Sequence, residues 1–260
     1  MSPYLPISLS PYLPISPHQD VIKKDYLLKK GFIEVYLLIP AAGSGRRMGS
    51  SRNKLLLNLL GQSIISWTIK AAAESNHIDW IGIISQPDDW QDFENILGEL
   101  NLDKPVKLIK GGSTRQESVY NGLGALPSQA EQVLIHDGAR CLATPSLFDS
   151  CAENLGRTSG LIAAVPVKDT IKVVNDNNII QSTPDRRQLW AAQTPQGFDV
   201  KFLKQCHQEA VSKGWEVTDD AALFEKCGLE VLIVPGEETN LKITTPQDLA
   251  IAEFILKGRE

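Results

Sequence analysis

Directly after the apolar run Val35–Ile39, the chain reads Pro40-Ala-Ala-Gly43-Ser-Gly45-Arg46-Arg47-Met48 and continues Gly49-Ser-Ser-Arg-Asn-Lys54. Small residues at the C-terminal end of a strand let a ligand approach the backbone and turn N–H groups toward phosphate oxygens. The segment is also basic within an acidic chain. Net charge is −5, yet no Asp or Glu occurs between Val35 and Ala73, where Arg46, Arg47, Arg52, Lys54 and Lys70 all lie. Such a local concentration of positive charge points to a focused anion site. Two familiar phosphate loops are excluded by spacing. A G-x-x-x-x-G-K-[ST] loop fails because Met48 or Ser50 stands where its second glycine belongs. A G-x-G-x-x-G loop fails at Met48, and no acidic residue for a ribose follows before Glu74. What remains is a loop with fixed cations, the adjacent Arg46 and Arg47 and, seven positions after Arg47, Lys54. Phosphoryl and nucleotidyl transfer require such cations, because charge builds on the phosphate oxygens in the transition state.

The elements that must position this loop are readable. Short apolar runs at Val35–Ile39, Trp80–Ser85, Val106–Ile109, Val133–His136, Leu161–Val165 and Val231–Val234 alternate with helical patterns. That alternation predicts a single α/β domain over 35–260, of Rossmann-like type, with a mostly parallel sheet and flanking helices. Ile64, Ile65, Thr68, Ile69, Ala72 and Ala73 share one helix face. Thr114-Arg-Gln-Glu117 reads as a capping box, and Thr144-Pro145, Thr218-Asp219 and Thr245-Pro246 as N-caps. Ile171–Val174 and Ile179–Gln181, separated by Asn175-Asp-Asn-Asn178, predict a protruding β-hairpin arm over 168–189. An isolated hairpin is marginal in water, so the arm must pack on its own domain or on a second subunit.

Composition narrows the function classes. Of 260 residues, 42% are hydrophobic and 22% charged, ordinary for a globular protein with a real core. An acidic chain is a poor general binder of nucleic acid or membrane surface. Cys141, Cys151, Cys206 and Cys227 are dispersed, with no metal-ligand spacing and no disulfide framework, which suits a reducing, cytoplasmic location. Residues 1–34 carry a duplicated SPYLPIS heptapeptide, at Ser2–Ser8 and Ser10–Ser16, and are expected to form a disordered Pro-rich extension. The features of a secretory signal are missing there, and no run approaches the ~20 apolar residues that span a bilayer.

The pattern P-A-A-G-x-G-x-R-M followed by N-K-L-L resembles the opening signature of the nucleotidyltransferase fold. More specifically it resembles the 2-C-methyl-D-erythritol 4-phosphate cytidylyltransferases of the non-mevalonate isoprenoid pathway. The likeness extends through Gly111-Gly-Ser-Thr-Arg115-Gln-Glu-Ser118, His136-Asp-Gly-Ala-Arg140 and Pro166-Val-Lys-Asp-Thr170. It continues through Pro184-Asp-Arg186, Gln193-Thr194-Pro-Gln196, Thr218-Asp-Asp-Ala221 and Asn240-Leu-Lys242, in the family's order from about Val35 to Leu256. It implies that Ala41, Ala42, Gly43 and Gly45 cradle the phosphates of CTP and that Gly111, Gly112 and Ser118 meet cytosine and ribose. Arg47 and Lys54 would stabilise the transition state. Arg186 and Lys242 would hold the acceptor phosphate, with Arg140, Thr170 and Thr194 nearby.

Asp137 follows the strand Val133–His136, where a parallel sheet presents its ligands. A carboxylate beside a triphosphate is tolerable when a divalent cation lies between, so Asp137 reads as a Mg²⁺ ligand, as the resemblance also implies. His136 reads as a packed strand residue. The acceptor, methylerythritol phosphate, is already anionic and needs positioning rather than a general base. In the family the arm reaches a neighbouring subunit's site, so a homodimer with shared active sites is implied. Two other readings stay open: cytidylyl transfer to another polyol phosphate such as ribitol 5-phosphate, and a nucleotide-binding regulator without catalysis.

Overall fold

The computed structural model describes residues 34–43 and 53–259. The N-terminal extension, and Gly45, Arg46 and Arg47 of the phosphate loop, lie outside the described residues. In chain order the described elements begin with β1 (Val35–Pro40), β2 (Asn58–Leu59), β3 (Gln62–Ser63), α1 (Ile64–Glu74), β4 (Ile78–Ser85), α2 (Trp90–Leu100), β5 (Val106–Lys110) and α3 (Arg115–Ala125). They continue with β6 (Gln132–Ile135), α4 (Pro145–Leu155), β7 (Gly160–Pro166), β8 (Val173–Val174), β9 (Ile180–Ser182) and β10 (Trp190–Asp199). Then come α5 (Val200–Lys213), α6 (Asp220–Lys226), β11 (Leu232–Pro235) and α7 (Pro246–Lys257). Seven strands form one sheet in the order β11-β7-β10-β6-β1-β4-β5. All neighbours run parallel except β10, which is antiparallel to both β6 and β7.

The strand β1 shows why the sheet is central. Val35, Leu37 and Ile39 enter one apolar layer, with Ile65, Ile69, Phe93 and Phe148 from the helices on that face. Tyr36 and Leu38 enter the other, with Val119, Leu123, Leu203 and Phe224. A strand covered on both faces must be a continuous apolar run, and that is the pattern the sequence carries. Helix starts follow their caps. The hydroxyls of Thr114, Thr144 and Thr245 accept from the amides of Glu117, Leu147 and Asp248, and Thr245 completes a capping box with Asp248. At Thr218-Asp219 the cap is Asp219, one residue later than the sequence suggested, its carboxylate accepting from Ala222 N–H. A carboxylate and a hydroxyl side by side are both good N-caps, and sequence alone does not choose between them.

One sheet strand is absent from the sequence reading. β10 contains Gln193, Pro195, Gln196 and Gly197, residue types poorly suited to a strand. The structure admits them because the β10–β7 register shifts between Ala192 and Gln196, a bulge in which Pro195 is not asked to donate to the ladder. The hairpin β8–β9 pairs antiparallel, closed by Asn175, whose side chain accepts from the amides of Asn177 and Ile179, and by Asn178 at φ +60°.

Candidate active site

The carboxyl ends of β1, β5 and β6 deliver the site. Backbone bonds carry the sheet one residue beyond each strand: Ala41 N–H donates to Ile84, Gly111 N–H to Ser85 and His136 N–H to Leu38. The loops that follow are therefore fixed at their roots. They surround a cleft of about 810 Å³ lined by Ala41, Ala42, Gly43, Lys54, Gly112, Ser118, Asp137 and Lys242, together with Gln86, Arg115 and Thr244. Most residues singled out in the described sequence thus converge on one place.

Small residues are required at its wall. A Cβ on Gly111 would stand 2.8 Å from the Cβ of Ala42, and one on Gly112 would collide with Glu117. The Ser118 hydroxyl accepts from Gly112 N–H at 3.0 Å and donates to the Thr114 carbonyl, tying the glycine turn to the first turn of α3. Gln86 holds the same turn by donating to the Gly112 carbonyl at 3.1 Å.

Lys54 sits at the far end of the phosphate loop, in a short 3-10 turn over Lys54–Leu56 capped by Asn53. Buried Asn53 also donates to the Ala41 carbonyl at 2.7 Å and to Asp89 at 2.9 Å. The two ends of the loop are thereby clasped together. The Lys54 ammonium donates to the Ile243 carbonyl at 2.7 Å, which brings it beside the Lys242 strand of chain.

Asp137 is the charged centre. Its Oδ2 lies 2.7 Å from the Lys242 ammonium and its Oδ1 3.7 Å from Arg115 Nε. Burial would raise its pKa, but Lys242 and Arg115 outweigh that and hold the carboxylate below its ordinary range. Its amide donates to the Thr194 hydroxyl at 3.1 Å. That hydroxyl in turn lies 3.0 Å from His136 Nδ1, while His136 Nε2 lies 3.1 Å from the Arg140 carbonyl. A carbonyl can only accept, so Nε2 carries the proton and Nδ1 accepts from Thr194. Burial lowers the His136 pKa to about 4, which keeps this tautomer neutral. His136 is a fixed polar strut beneath the site.

The remaining residues divide. Arg140 is held by the carbonyls of Asn240 (2.7 Å) and Ala192 (3.3 Å), and burial draws its pKa down while Asp137 opposes. Buried Asn240 donates to the Thr194 carbonyl at 2.8 Å, so the bulge of β10, Arg140 and the Lys242 loop form one unit. Thr170 and Arg186 lie on the arm, outside the cleft lining. Thr170 is exposed, and Arg186 donates to the Lys168 carbonyl at 2.9 Å.

Sequence reasoning met Arg115, Asn53 and Asp220 only within a helix start or a family motif and gave none of them a role at the site. Arg115 lies in the cleft, with Nη1 2.8 Å from the buried carboxylate of Asp220. Burial works against its charge, but Asp220 and Asp137 more than compensate and raise its pKa. A faint signal existed in the two adjacent acids Asp219-Asp220, one more than a cap requires.

A mostly parallel sheet with a small-residue loop, fixed cations and one carboxylate at its carboxyl ends defines an enzyme of the nucleotidyltransferase fold. Residues 35–258 match the family model of 2-C-methyl-D-erythritol 4-phosphate cytidylyltransferase, and the chain belongs to that family. A protein of that name from Nostoc punctiforme is 74% identical over 225 residues, covering 86% of this chain and 99% of its own. Another, from Trichodesmium erythraeum, is 70% identical over 220 residues, covering 85% and 97%. Among solved structures, 4-diphosphocytidyl-2C-methyl-D-erythritol synthase from Anaerococcus prevotii superposes with a TM-score of 0.79 at 32% identity. The match covers 87% of this chain and 100% of that one.

Proposed function

We propose that this enzyme transfers the cytidylyl group of CTP to 2-C-methyl-D-erythritol 4-phosphate, releasing pyrophosphate and supplying isoprenoid precursor synthesis. One observation carries the reading: Ala41, Ala42 and Gly43 at the start of the phosphate loop line a single cleft at the carboxyl ends of the sheet together with Lys54, Asp137 and Lys242. An oxygen of the acceptor phosphate forms the new bond to the α-phosphorus, the α–β bridging bond breaks, and pyrophosphate leaves. The nucleophile is already ionised, so the protein's task is alignment and charge relief. Lys54, backed by the Asn53 clasp, is the cation for the donor phosphates, together with Arg47 of the loop. Lys242, already beside an anion at Asp137, is the cation for the acceptor side, with Arg186 supplied by the arm.

Asp137 suits Mg²⁺. Among the described residues no three His, Cys, Asp or Glu side chains gather to hold a metal. A cation here would therefore take one protein carboxylate and complete its shell with phosphate oxygens and water, the manner of Mg²⁺. When bound, it would offset the charge of the triphosphate. Asp137 would hold its place, and the cleft walls would exclude bulk water.

We further propose a cytoplasmic homodimer built through the arm. Ile179 and Ile180 are 62% and 58% exposed, and Ile171, Val173 and Val174 beside them are also exposed. That is a large apolar surface for so small a hairpin. No helix among the described residues is long and apolar enough to cross a membrane.

The test is direct. Purified protein given CTP, Mg²⁺ and methylerythritol phosphate is expected to release pyrophosphate, followed by a coupled phosphate assay. Silence with that acceptor and turnover with ribitol 5-phosphate would refute the assignment.

A further inference from the structure

Behind the cleft a row of four charges that alternates in sign, Lys242, Asp137, Arg115 and Asp220, leads into the protein interior. Lys242 meets Asp137 at 2.7 Å, Asp137 meets Arg115 at 3.7 Å, Arg115 meets Asp220 at 2.8 Å, and Asp220 meets His207 Nε2 at 3.5 Å. Asp220 and His207 are fully buried, whereas Lys242 is open to solvent. Nothing in the transfer reaction calls for a buried carboxylate at Asp220. Its position is nonetheless tightly set. Gln196, from the bulged strand β10, donates to Asp219 at 2.8 Å and accepts from Ala221 N–H at 3.3 Å, gripping the chain on both sides of Asp220. The ring of Tyr120 on α3 stacks on His207 at 5.5 Å between centroids.

We infer that Asp220 is a positioning residue for the transfer reaction, acting through Arg115 to keep the carboxylate of Asp137 open to the cleft. The inference rests on this cleft being the CTP site. Arg115 stands between two carboxylates and is bound unequally, close to Asp220 and loosely to Asp137. A guanidinium that is mostly shielded from water is costly to leave without a close anion. Asp220 satisfies that need from the interior, so Arg115 is held back and Asp137 Oδ1 keeps only a long contact. Without Asp220, Arg115 closes on Asp137. The carboxylate, whose Oδ2 is already paired with Lys242, then has Oδ1 occupied as well and is lost to whatever cation arrives in the cleft. Gln196 and His207 serve the same end by fixing where Asp220 sits.

The experiment is a double-mutant cycle on kcat and on the KM for CTP, with folding followed by circular dichroism. Asp220→Asn is expected to lower kcat about thirtyfold, with KM for CTP changed less than about threefold. In the Arg115→Gln background the same substitution should change kcat less than about threefold, because no guanidinium remains to close on Asp137. An equal loss in both backgrounds, or a folded Asp220→Asn enzyme within about twofold of wild type, would overturn the proposal. Should Asp220→Asn fail to fold alone, the double variant carries neither charge and is compared with Arg115→Gln. A kcat about tenfold lower in the double would then overturn it. Asp137→Asn separates this from the reading of the cleft itself. Full activity of that variant would sink both, whereas an inactive Asp137→Asn beside additive losses at 115 and 220 would sink only the role of Asp220.

Discussion

At the scale of single residues, the site is a problem of holding cations at fixed places beside a flexible, highly charged substrate. Lys54 is held through Asn53, which caps its turn, and through its own bond to Ile243. Replacing Lys54 by Ala removes the charge itself, and kcat should fall about a hundredfold with a far smaller rise in the KM for CTP. Asn53→Ala leaves the charge but releases the clasp to Ala41 and Asp89, so its kcat should fall less, with a loss of about 1–3 kcal/mol in unfolding free energy. Steady-state kinetics with urea unfolding checks both, and equal losses in kcat/KM arising wholly from KM would make Lys54 a mere binding residue. The cations were legible because charge stands out in a loop of small residues. Asn53 and Arg115 were not, because each acts on groups far away in the chain, Asp89 and Asp220. Spacing cannot show a partner brought near only by the sheet.

At the scale of elements, much of the order came through in sequence because each element carries its own local signal. Val35–Ile39 is apolar on both faces and becomes a central strand. Thr144-Pro145 and Thr245-Pro246 begin helices where a cap and a first-turn proline dictate. β10 carries no such signal, since its identity as a strand is imposed by β6 and β7 on either side and its bulge absorbs Pro195. The same bulge places Thr194 against His136, so a segment without a strand signal of its own supplies the floor of the site. Joints between elements are also tertiary. Asp149 on α4 accepts from the Ser75 hydroxyl at 2.5 Å and from Asn76 N–H and Nδ2 at 2.8 and 2.9 Å, tying α4 to the turn that follows α1. Burial would raise its pKa, but these bonds prevail and lower it. The joint therefore adds stability above the unfolded carboxylate pKa of roughly 4, and the gain is lost as pH falls through the lower folded value. Asp149→Asn should cost about 1–2 kcal/mol at pH 7, with its gap from wild type closing in urea titrations carried down to about pH 3. A gap that stays constant with pH would mean that the carboxylate charge contributes nothing to the joint.

At the scale of the whole molecule, the arm poses the remaining question. Arg186 donates to Lys168 on the arm, and neither Arg186 nor Thr170 is among the residues lining the cleft of its own chain. If Arg186 holds the acceptor phosphate, the natural arrangement is that it does so in the cleft of a second copy. The apolar exposure of Ile179 and Ile180 gives such a copy something to bury. Ile179→Asp with Ile180→Asp puts two charges where that contact would form. The variant should run as a monomer in light scattering after gel filtration, while its far-ultraviolet spectrum stays native because the hairpin lies apart from the main sheet. Its kcat should fall with the association. Shared sites also make a quantitative demand. In mixtures of Arg186→Ala and Lys54→Ala chains, each parent is inactive, but a mixed dimer holds one cleft with both Lys54 and a donated Arg186. Random pairing makes about half of the dimers mixed, each with one working site of two, so activity should recover to about a quarter of wild type. If mixed dimers are demonstrated by mass and activity does not return, Arg186 serves its own chain or none, and the arm is a means of association only.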